Sequence, residues 1–319
     1  MTGIRNQLAT LLASMCFLSA CGAPAESDPS QTMPNLSGDK TTLLRPGETG
    51  FVVNHPVVNR LWGSSDKDVW GVGQSARVVH WDGKVWQQVA VPTGANLIAV
   101  WGSGASDIWA VGEGGVVIHW TGTRWSRVTT PVPDSAALND IWGTSASDIW
   151  AVGEGGVIIH YDGTAWSMVS IPIINPLYTV WAATTTDAWI GGDLGLLLHW
   201  DGTSWSEVAS GSANPVAHIR GTSGSKIWAV KQNSELWVYD GTKWSGSTAS
   251  AYGQRIWLTS ESDIWLYRLN DAYHWNGTAW QGYSFGSANA VWSSSALNAW
   301  MFSNGDIYHF TAPTWDYRW

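Results

Sequence analysis

One sequence unit is repeated along most of this chain, and that repetition limits the folds it can adopt. The clearest copy is WGTSASDIWAVGEGGVIIHYDGTAW at residues 142–166. Aligned copies begin near residues 62, 101, 142, 181, 220, 257 and 292, which makes seven units with spacings of 35 to 41 residues. Repeats of about 40 residues are typical of β-propellers and solenoids, in which each unit buries its apolar face against its neighbours.

Each unit predicts four short strands. In the copy at 142–166, segments rich in β-branched and aromatic residues alternate with Ser, Asp and Gly at turn positions. This pattern is typical of antiparallel hairpins joined into a meander. A solenoid, the alternative, has shorter rungs and fewer turns in each repeat. We therefore predict an all-β fold over residues 50–319, a seven-bladed β-propeller of four-stranded antiparallel blades.

Charge and cysteine content exclude some kinds of partner and site. The formal net charge is −9 and there is no basic stripe, so we do not expect binding to nucleic acid. The two cysteines, Cys16 and Cys21, both precede the repeats, which predicts a propeller with no disulfide framework and no thiol metal site. We expect no metal and no cofactor, and a monomeric propeller head.

Residues 1–20 predict export. Arg5 precedes an apolar run from Leu8 to Ala20, which is too short to span a bilayer and has the form of a secretory signal peptide. Residues 21–49 lack the repeat and are rich in Pro, Ser, Gly and Asp, which predicts a disordered tether. As a flexible coil, a tether of this length spans roughly 30 Å.

The sequence LSAC at 18–21 resembles the lipobox of bacterial lipoproteins. The resemblance implies cleavage before Cys21 and lipidation of its thiol, which anchors the chain to a membrane of the cell envelope. Gly22 follows the cysteine, and a residue other than Asp at this place implies sorting to the outer membrane of a bacterium with two membranes. An ordinary signal peptide with an incidental cysteine is the alternative.

Residues that recur in equivalent positions are predicted to build the scaffold. Tryptophan recurs at two positions in all seven units, and this equivalence favours packing between blades over a sugar-binding platform. Histidine recurs at one position in six units, so a metal role would need six separate sites, and we predict a structural role. A recurring Asp before the second strand is predicted to cap a turn, and Asp-Gly pairs are predicted hairpin turns. The histidines are His80, His119, His160, His199, His274 and His309; the two sets of Asp are Asp68, Asp107, Asp148, Asp187 and Asp263, and Asp82, Asp162, Asp201 and Asp240.

Positions that differ between units are the candidates for binding. Two residues before the first repeat position the seven units hold unlike residues, among them Arg, Asp, Thr and His. If the first strand of each blade lines the axis, these side chains converge near the central mouth. Arginine binds carboxylates and phosphates bidentately, so we predict an anion or sugar site there, with a water-filled polar channel as the alternative. The predicted ligand-binding residues are Arg60, Asp140, Tyr178, His218, Arg220 and Arg255, and Glu113, Glu154 and Asp193 are predicted to form an acidic arc on the same face.

The unit W-G-x-S-x-x-D-[IV]-W-[AG]-V-G…H-[WY]-D-G-x-x-W resembles the repeats of bacterial surface propellers and, more distantly, those of tectonin-type lectins. Its DGxxW turn is similar to the Asp-box. The resemblance implies a propeller that binds glycans or surfaces. Asp-boxes also occur in sialidases, which need a Tyr nucleophile paired with Glu and an acid Asp. Tyr178 and Asp140 can be nominated for two of these roles, but the predicted inner strands offer no Glu.

Together these features predict a non-enzymatic lipoprotein of the cell envelope whose propeller binds or scaffolds envelope proteins. The first alternative is a tectonin-like lectin that binds surface glycans at the axial mouth. The second is a sialidase-like glycoside hydrolase.

Overall fold

A computed structural model describes residues 57–247, 251–268, 271–284, 288–303, 305–312 and 314–318. These residues form seven four-stranded antiparallel sheets, so the predicted seven-bladed propeller is confirmed. The predicted signal peptide at 1–20, the tether at 21–49 and the lipidation site Cys21 lie outside the described residues. Within the described ranges, no helix is long and apolar enough to cross a membrane.

Each blade consists of four strands that are consecutive in sequence and hydrogen-bonded in that order. Blades 1 to 4 contain β1 Val58–Ser65, β2 Asp68–Gly73, β3 Arg77–Trp81, β4 Trp86–Gln88; β5 Leu97–Gly104, β6 Asp107–Gly112, β7 Val117–Trp120, β8 Trp125–Val128; β9 Leu138–Ser145, β10 Asp148–Gly153, β11 Ile158–Tyr161, β12 Trp166–Met168; and β13 Leu177–Thr184, β14 Asp187–Gly192, β15 Leu197–Trp200, β16 Trp205–Glu207. Blades 5 to 7 contain β17 Val216–Ser223, β18 Lys226–Lys231, β19 Leu236–Tyr239, β20 Trp244–Gly246; β21 Arg255–Ser260, β22 Asp263–Tyr267, β23 Asp271–Trp275, β24 Trp280–Ser284; and β25 Ala288–Ser295, β26 Asn298–Ser303, β27 Asp306–Thr311, β28 Thr314–Tyr317. Short 3₁₀ turns at Glu113–Gly115, Glu154–Gly156 and Asp193–Gly195 join the second and third strands of blades 2, 3 and 4.

The first strand of each blade lies next to the first strands of both neighbouring blades, so these strands surround the axis. The ring closes where β25 packs against β1. At this junction Trp300 of blade 7 packs against Trp81 and Trp86 of blade 1, with ring centroids 4.8 and 5.3 Å apart. Among the described residues no strand is shared between blades, so side-chain packing holds the first and last blades together.

The second-strand tryptophans pack between blades, as the repeat predicts. Trp70 of blade 1 lies 4.9 Å from Trp120 and 5.6 Å from Trp125 of blade 2, measured between ring centroids. Aromatic pairs in such tilted and edge-on geometries add about 0.5–1.5 kcal/mol each to the effect of burial. Equivalent contacts to the next blade are made by Trp109, Trp150, Trp189, Trp265 and Trp300.

The recurring Asp before the second strand has a different partner from the one predicted. Asp68 does not cap a turn; its Oδ1 lies 2.6 Å from His80 Nε2 and accepts a hydrogen bond from Trp70 Nε1 at 3.0 Å. The antiparallel register puts Trp70 opposite His80, and their rings stack 3.9 Å apart. The histidines are therefore scaffold residues, as predicted. The same Asp–His contact recurs at Asp107–His119, Asp148–His160, Asp187–His199 and Asp263–His274.

The Asp-Gly pairs form hairpin turns, as predicted. Asp162 Oδ1 accepts hydrogen bonds from the backbone N–H groups of Thr164 and Ala165, at 2.8 and 3.0 Å. Gly163 between them has a φ of 93°, a left-handed conformation that glycine adopts without steric cost. The same backbone bonds form at Asp82, Asp201 and Asp240.

Candidate functional site at the propeller axis

Three unlike residues, two positions before the start of their units, make the same contact. Each accepts a hydrogen bond from a backbone N–H of the next blade's first strand. That strand is the edge of its sheet, so alternate N–H groups have no partner within the sheet. A carboxylate, a hydroxyl and an imidazole nitrogen all serve as acceptors here. The pairs are Asp140 Oδ2 with Val180 N at 3.1 Å, Thr179 Oγ1 with Ile219 N at 3.1 Å, and His218 Nδ1 with Ile256 N at 3.3 Å.

Asp140 and Arg220 form a buried ion pair beside the axis. Arg220 Nη1 lies 3.3 Å from Asp140 Oδ2, and Arg220 Nη2 lies 3.5 Å from Asp140 Oδ1. Arg220 also donates to the backbone carbonyls of Val180 and Ile219. The two residues are 1% and 5% exposed, so both charges are removed from water. Loss of either partner leaves an unpaired buried charge.

His218 and Arg60 complete the buried polar layer. His218 is fully buried, and burial, followed by the positive charges of Arg220 and Arg60, holds its pKa well below the ordinary value. The ring is therefore neutral near pH 7. Arg60 is 6% exposed, and its Nη1 donates to the backbone carbonyl of Asn59 at 3.4 Å.

The orientation of the first tryptophan of each unit depends on one residue of the next blade. In four blades this indole packs against a glycine; for example, a Cβ added at Gly102 would lie 2.7 Å from Trp62 Cη2. We call this glycine position on the next blade the seat of the tryptophan. Where the next blade has a larger residue at that position, the indole cannot pack there. Trp142 faces Ala182 and donates to its carbonyl at 3.2 Å, and Trp257 donates to the carbonyl of Ser293 at 3.1 Å. The four glycine seats are Gly102, Gly143, Gly221 and Gly63, which hold Trp62, Trp101, Trp181 and Trp292.

The three displaced side chains meet at the axis. Trp142 of blade 3 and Trp257 of blade 6 have ring centroids 6.3 Å apart. Arg220, which replaces tryptophan in blade 5 and whose seat is blocked by Leu258, lies 4.5 Å from the centre of the Trp142 ring. These residues are two positions further along the first strands than Asp140 and His218. Trp142 and Trp257 therefore fill the axis beneath the buried polar layer, and Arg220 reaches from their level back to Asp140.

At the other end, where the first strands begin, blades 1, 6 and 7 line a pocket of about 300 Å³. Arg255 lines this pocket. Tyr267 also lines it; burial raises the pKa of its hydroxyl, while the nearby positive charges of Arg60 and Arg220 oppose that rise. Tyr267 therefore belongs to the pocket and also lies near the buried polar layer. The other lining residues are Val57, Asn59, Gln74, Gln254, Arg268, Ala288 and Asn289.

We call the surface around this pocket the mouth face; it carries the turns between second and third strands. Glu113, Glu154 and Asp193 occupy equivalent places in these turns, so the acidic arc lies on one face as predicted. Tyr178 lies near Asp193 and Glu154; burial first, and then these two carboxylates, raise the pKa of its hydroxyl. The equivalent place in blade 6 holds Arg268, which is paired with Asp271 at 3.2 Å. The mouth face is thus acidic on blades 2 to 4, while on blade 6 Asp271 offsets the charge of Arg268 and Arg255 supplies the excess positive charge.

Exposed apolar side chains also lie on the mouth face. Ile174 is 85% exposed, and Leu194 is 68% exposed in the turn of blade 4. Leu194 has a φ of 54°, where blades 2 and 3 place Gly114 and Gly155. A left-handed conformation costs an L-residue about 1–2 kcal/mol. In the sequence, the unusual leucine is visible as the change from EGG in the turns of blades 2 and 3 to DLG in the turn of blade 4.

The six predicted ligand-binding residues do not share one opening. Arg60, Asp140, His218 and Arg220 are buried, while Arg255 lines the pocket and Tyr178 lies on the mouth face. Asp140 is held by Arg220, Thr179 and a backbone N–H, so it cannot reach a glycosidic oxygen as an acid. No group of three or more His, Cys, Asp or Glu side chains within the described ranges is arranged to hold a metal ion.

Solved structures with a similar fold are propellers. A structure described as YCF48 bound to D1 peptide is 13% identical and covers 82% of this chain and 93% of its own, with a TM-score of 0.65. YCF48 from Cyanidioschyzon merolae is 15% identical, and the match covers 82% of this chain and 98% of that structure, with a TM-score of 0.64. The WD40 propeller domain of Doa1 is 12% identical, and the match covers 82% of this chain and 92% of that structure, with a TM-score of 0.63.

The chain shares the β-propeller fold of these structures. At these identities the likeness shows the fold alone. No known family profile matches the sequence, and no curated protein is similar to it.

Proposed function

We propose that the chain is a non-enzymatic binding propeller that holds a protein partner on its mouth face. The observation that carries the proposal is Leu194, a 68% exposed apolar residue in a left-handed conformation, where blades 2 and 3 have glycine and blade 1 has the small polar residue Ser75. Strain of this kind is retained where the surrounding structure imposes it, and it clusters at functional sites. An exposed leucine adds nothing to the core, so its use must lie at the surface.

The mouth face also has the composition of a protein interface. Ile174, Leu194 and Tyr252 are all exposed there, and Arg268 lies 5.9 Å from the Tyr252 ring. Apolar anchors, tyrosine and arginine carry much of the binding energy in interfaces. The acidic turns of blades 2 to 4 and the basic residues of blade 6 would set the orientation of a partner.

Solved propellers of similar structure support the proposal that the partner is a protein. One of them is described as bound to a peptide, and another as a WD40 propeller domain. By analogy of fold, we infer that a segment of a partner protein lies across the mouth face. The buried ion pair of Asp140 and the absence of a Glu in the inner strands argue against a sialidase.

The proposal includes a location at the cell envelope. The apolar run before Ala20 and the lipobox-like LSAC at 18–21 support export and a lipid anchor at Cys21. Labelling of cells with a radioactive or alkyne-bearing fatty acid tests this, because label should enter the chain and be lost in Cys21→Ser. Unchanged labelling of the variant would exclude the anchor at this residue.

A paired set of variants tests the mouth face. Ile174→Ser combined with Leu194→Gly removes the apolar anchors, and Gly is the residue that blades 2 and 3 have at this turn position. Leu297→Ser is the matched control, since Leu297 is equally exposed at 68% but lies in a turn between first and second strands, at the opposite end of the blades. Cross-linking and affinity capture from envelope extracts should recover the same partner with wild type and the control, and lose it with the double variant. A partner retained by all three proteins would contradict the proposal.

The alternative is a lectin of the tectonin-like kind. The pocket favours it in one respect, because Asn59, Gln254 and Arg255 line one opening and such side chains bind sugar hydroxyl groups. A glycan array that includes bacterial surface polysaccharides tests this. A lectin should bind a defined set of glycans and lose them in Arg255→Ala. If no glycan on the array is bound and a protein partner is captured through Leu194, the result would favour the protein-binding propeller over the lectin.

A further inference from the structure

The buried polar layer contains hydrogen-bond donors that lack acceptors. Within the described part of the chain, Arg60 Nε, Arg220 Nε and His218 Nε2 are buried and have no partner. His218 Nδ1 accepts from Ile256 N, so in the neutral ring Nε2 carries the proton. All three atoms are therefore donors. A buried donor without an acceptor costs about 1–3 kcal/mol, so an acceptor at this place would be strongly favoured.

The charges of the layer do not balance. Asp140 is the one carboxylate in the seven first strands, all of which the structure describes, and it is bonded to Arg220. Arg60 donates to a backbone carbonyl of its own strand and has no carboxylate partner among the described residues. With His218 neutral, two guanidinium groups face one carboxylate, which leaves one positive charge. An uncompensated charge in a water-excluded site is costly, so a counter-ion is expected.

The geometry points to a small monovalent anion of halide size, bound at the axis between Arg60 of blade 1 and His218 and Arg220 of blade 5. Below it lie the indoles of Trp142 and Trp257, with Arg220 over the Trp142 ring, and Tyr267 of the mouth pocket lies near Arg60 and Arg220. Arg60, His218 and Arg220 are at most 6% exposed, so an anion held between them gives up its water shell, which disfavours a multiply charged oxyanion. This inference is independent of the proposed protein partner, which binds the outer surface.

The anion explains why the axis keeps Arg60. A neutral side chain at this place would leave no buried charge, as Ala99 and Ala290 do in the equivalent positions of blades 2 and 7. With an anion bound, Arg60, His218 and Arg220 join blades 1 and 5, which are not neighbours in the ring. The ion is therefore a tie across the axis.

Thermal unfolding of the purified full chain in different salts tests the site. At constant ionic strength, replacement of sodium gluconate by sodium chloride or bromide should raise the Tm along a saturable curve, by roughly 5 °C at a hundred times the Kd. Arg60→Gln should show no saturable rise, and in gluconate it should be at least as stable as wild type, since it removes the unpaired charge. Arg124→Gln, at an exposed turn position, is the control and should respond like wild type.

Crystals of the wild-type chain soaked in bromide give the direct measurement and do not depend on a variant that folds. An anomalous peak within hydrogen-bond distance of Arg60 and His218 Nε2 is expected. A Tm that is the same in gluconate, chloride and bromide, or bromide crystals without a peak at the axis, would overturn the proposal, and the donors would then be satisfied by water. A Tm rise that persists unchanged in Arg60→Gln would also overturn it.

Discussion

The Arg220 guanidinium lies 4.5 Å from the centre of the Trp142 ring, although the two residues start the units of blades 5 and 3. They meet because neither side chain can occupy the seat on the next blade. Ala182 blocks the seat of Trp142 and Leu258 blocks that of Arg220. Two residues outside the axis thus determine which side chains fill it.

The glycine seats give a first prediction. Gly102→Ala places a Cβ 2.7 Å from Trp62 Cη2 and 2.8 Å from the carbonyl oxygen of Asp107, and backbone cannot yield easily. We expect a loss of about 1–3 kcal/mol in the free energy of unfolding. Ala182→Gly instead creates a glycine seat in blade 4. It should lower the free energy of unfolding by no more than about 1 kcal/mol, and Trp142 should move away from Arg220 to pack against the new glycine. Urea unfolding and a crystal structure of the second variant check both. If Trp142 stays beside Arg220 in Ala182→Gly, the seat does not control its orientation.

Asp140 gives the second prediction. Asp140→Asn keeps an acceptor for Val180 N and Thr179 but removes the charge that compensates Arg220. Breaking a buried ion pair costs about 3–5 kcal/mol, which urea unfolding measures. The double variant Asp140→Asn with Arg220→Met removes both charges and should recover part of that loss. A double variant that is less stable than Asp140→Asn alone would show that Arg220 contributes mainly through its backbone bonds and the Trp142 ring.

The repeat predicted the scaffold well because equivalent residues have equivalent neighbours. Trp70 and its sisters could be assigned to blade packing from recurrence alone. The partner of Asp68 could not be predicted from recurrence. Its contact with His80 depends on the register between the second and third strands, which places His80 opposite Trp70. Sequence proximity favoured a turn, while cross-strand pairing decided the outcome.

The axial site was predicted less well for a similar reason. The sequence identified Asp140, His218 and Arg220 as departures from the repeat, and it treated them as residues of an open mouth. Their burial depends on Trp142 and Trp257 filling the axis, and that in turn depends on Ala182 and Ser293 in the following blades. The signal is readable in hindsight as Trp-Ala or Trp-Ser in place of Trp-Gly, one unit further along.

His218 gives a prediction on pH. Burial, Arg220 and Arg60 lower its pKa in the folded chain from the 6.5 expected in the unfolded chain. The unfolded chain therefore binds more protons below pH 6.5, so stability that is present above this pH is lost as pH falls. The loss from one such group reaches about 1.4 kcal/mol per pH unit.

The variant that tests this is His218→Gln, which offers an amide oxygen to Ile256 N and does not titrate. Its free energy of unfolding should fall less steeply than that of wild type between about pH 6.5 and 5, by up to 1.4 kcal/mol per unit. Urea unfolding at several pH values measures both slopes. Parallel curves would mean that His218 binds a proton as readily in the folded chain as in the unfolded chain, which would contradict its burial and its use of Nδ1 as an acceptor.

Lys231 gives the last prediction, and it explains why Trp237 departs from the repeat. Lys231 stands where blades 1 to 4 have glycine and is 1% exposed. Its Nζ donates to the Ser210 carbonyl at 2.8 Å and to Ser212 Oγ at 2.9 Å, and lies 4.2 Å from the centre of the Trp237 ring. The two departures thus form one contact that holds the connection between blades 4 and 5.

Replacement of this lysine by the repeat residue, Lys231→Gly, should loosen that connection. Two hydrogen bonds from a charged donor and a contact with an aromatic face are lost, so we expect a cost of about 2–4 kcal/mol. Hydrogen exchange should accelerate at residues 208–215 and stay unchanged in blades 1 and 2. Lys84→Gly, at an exposed turn position, is the control and should leave exchange in that segment as it is in wild type. If Lys231→Gly leaves it unchanged as well, the segment is held by its own turn, through Ser210 Oγ and the Ser212 carbonyl.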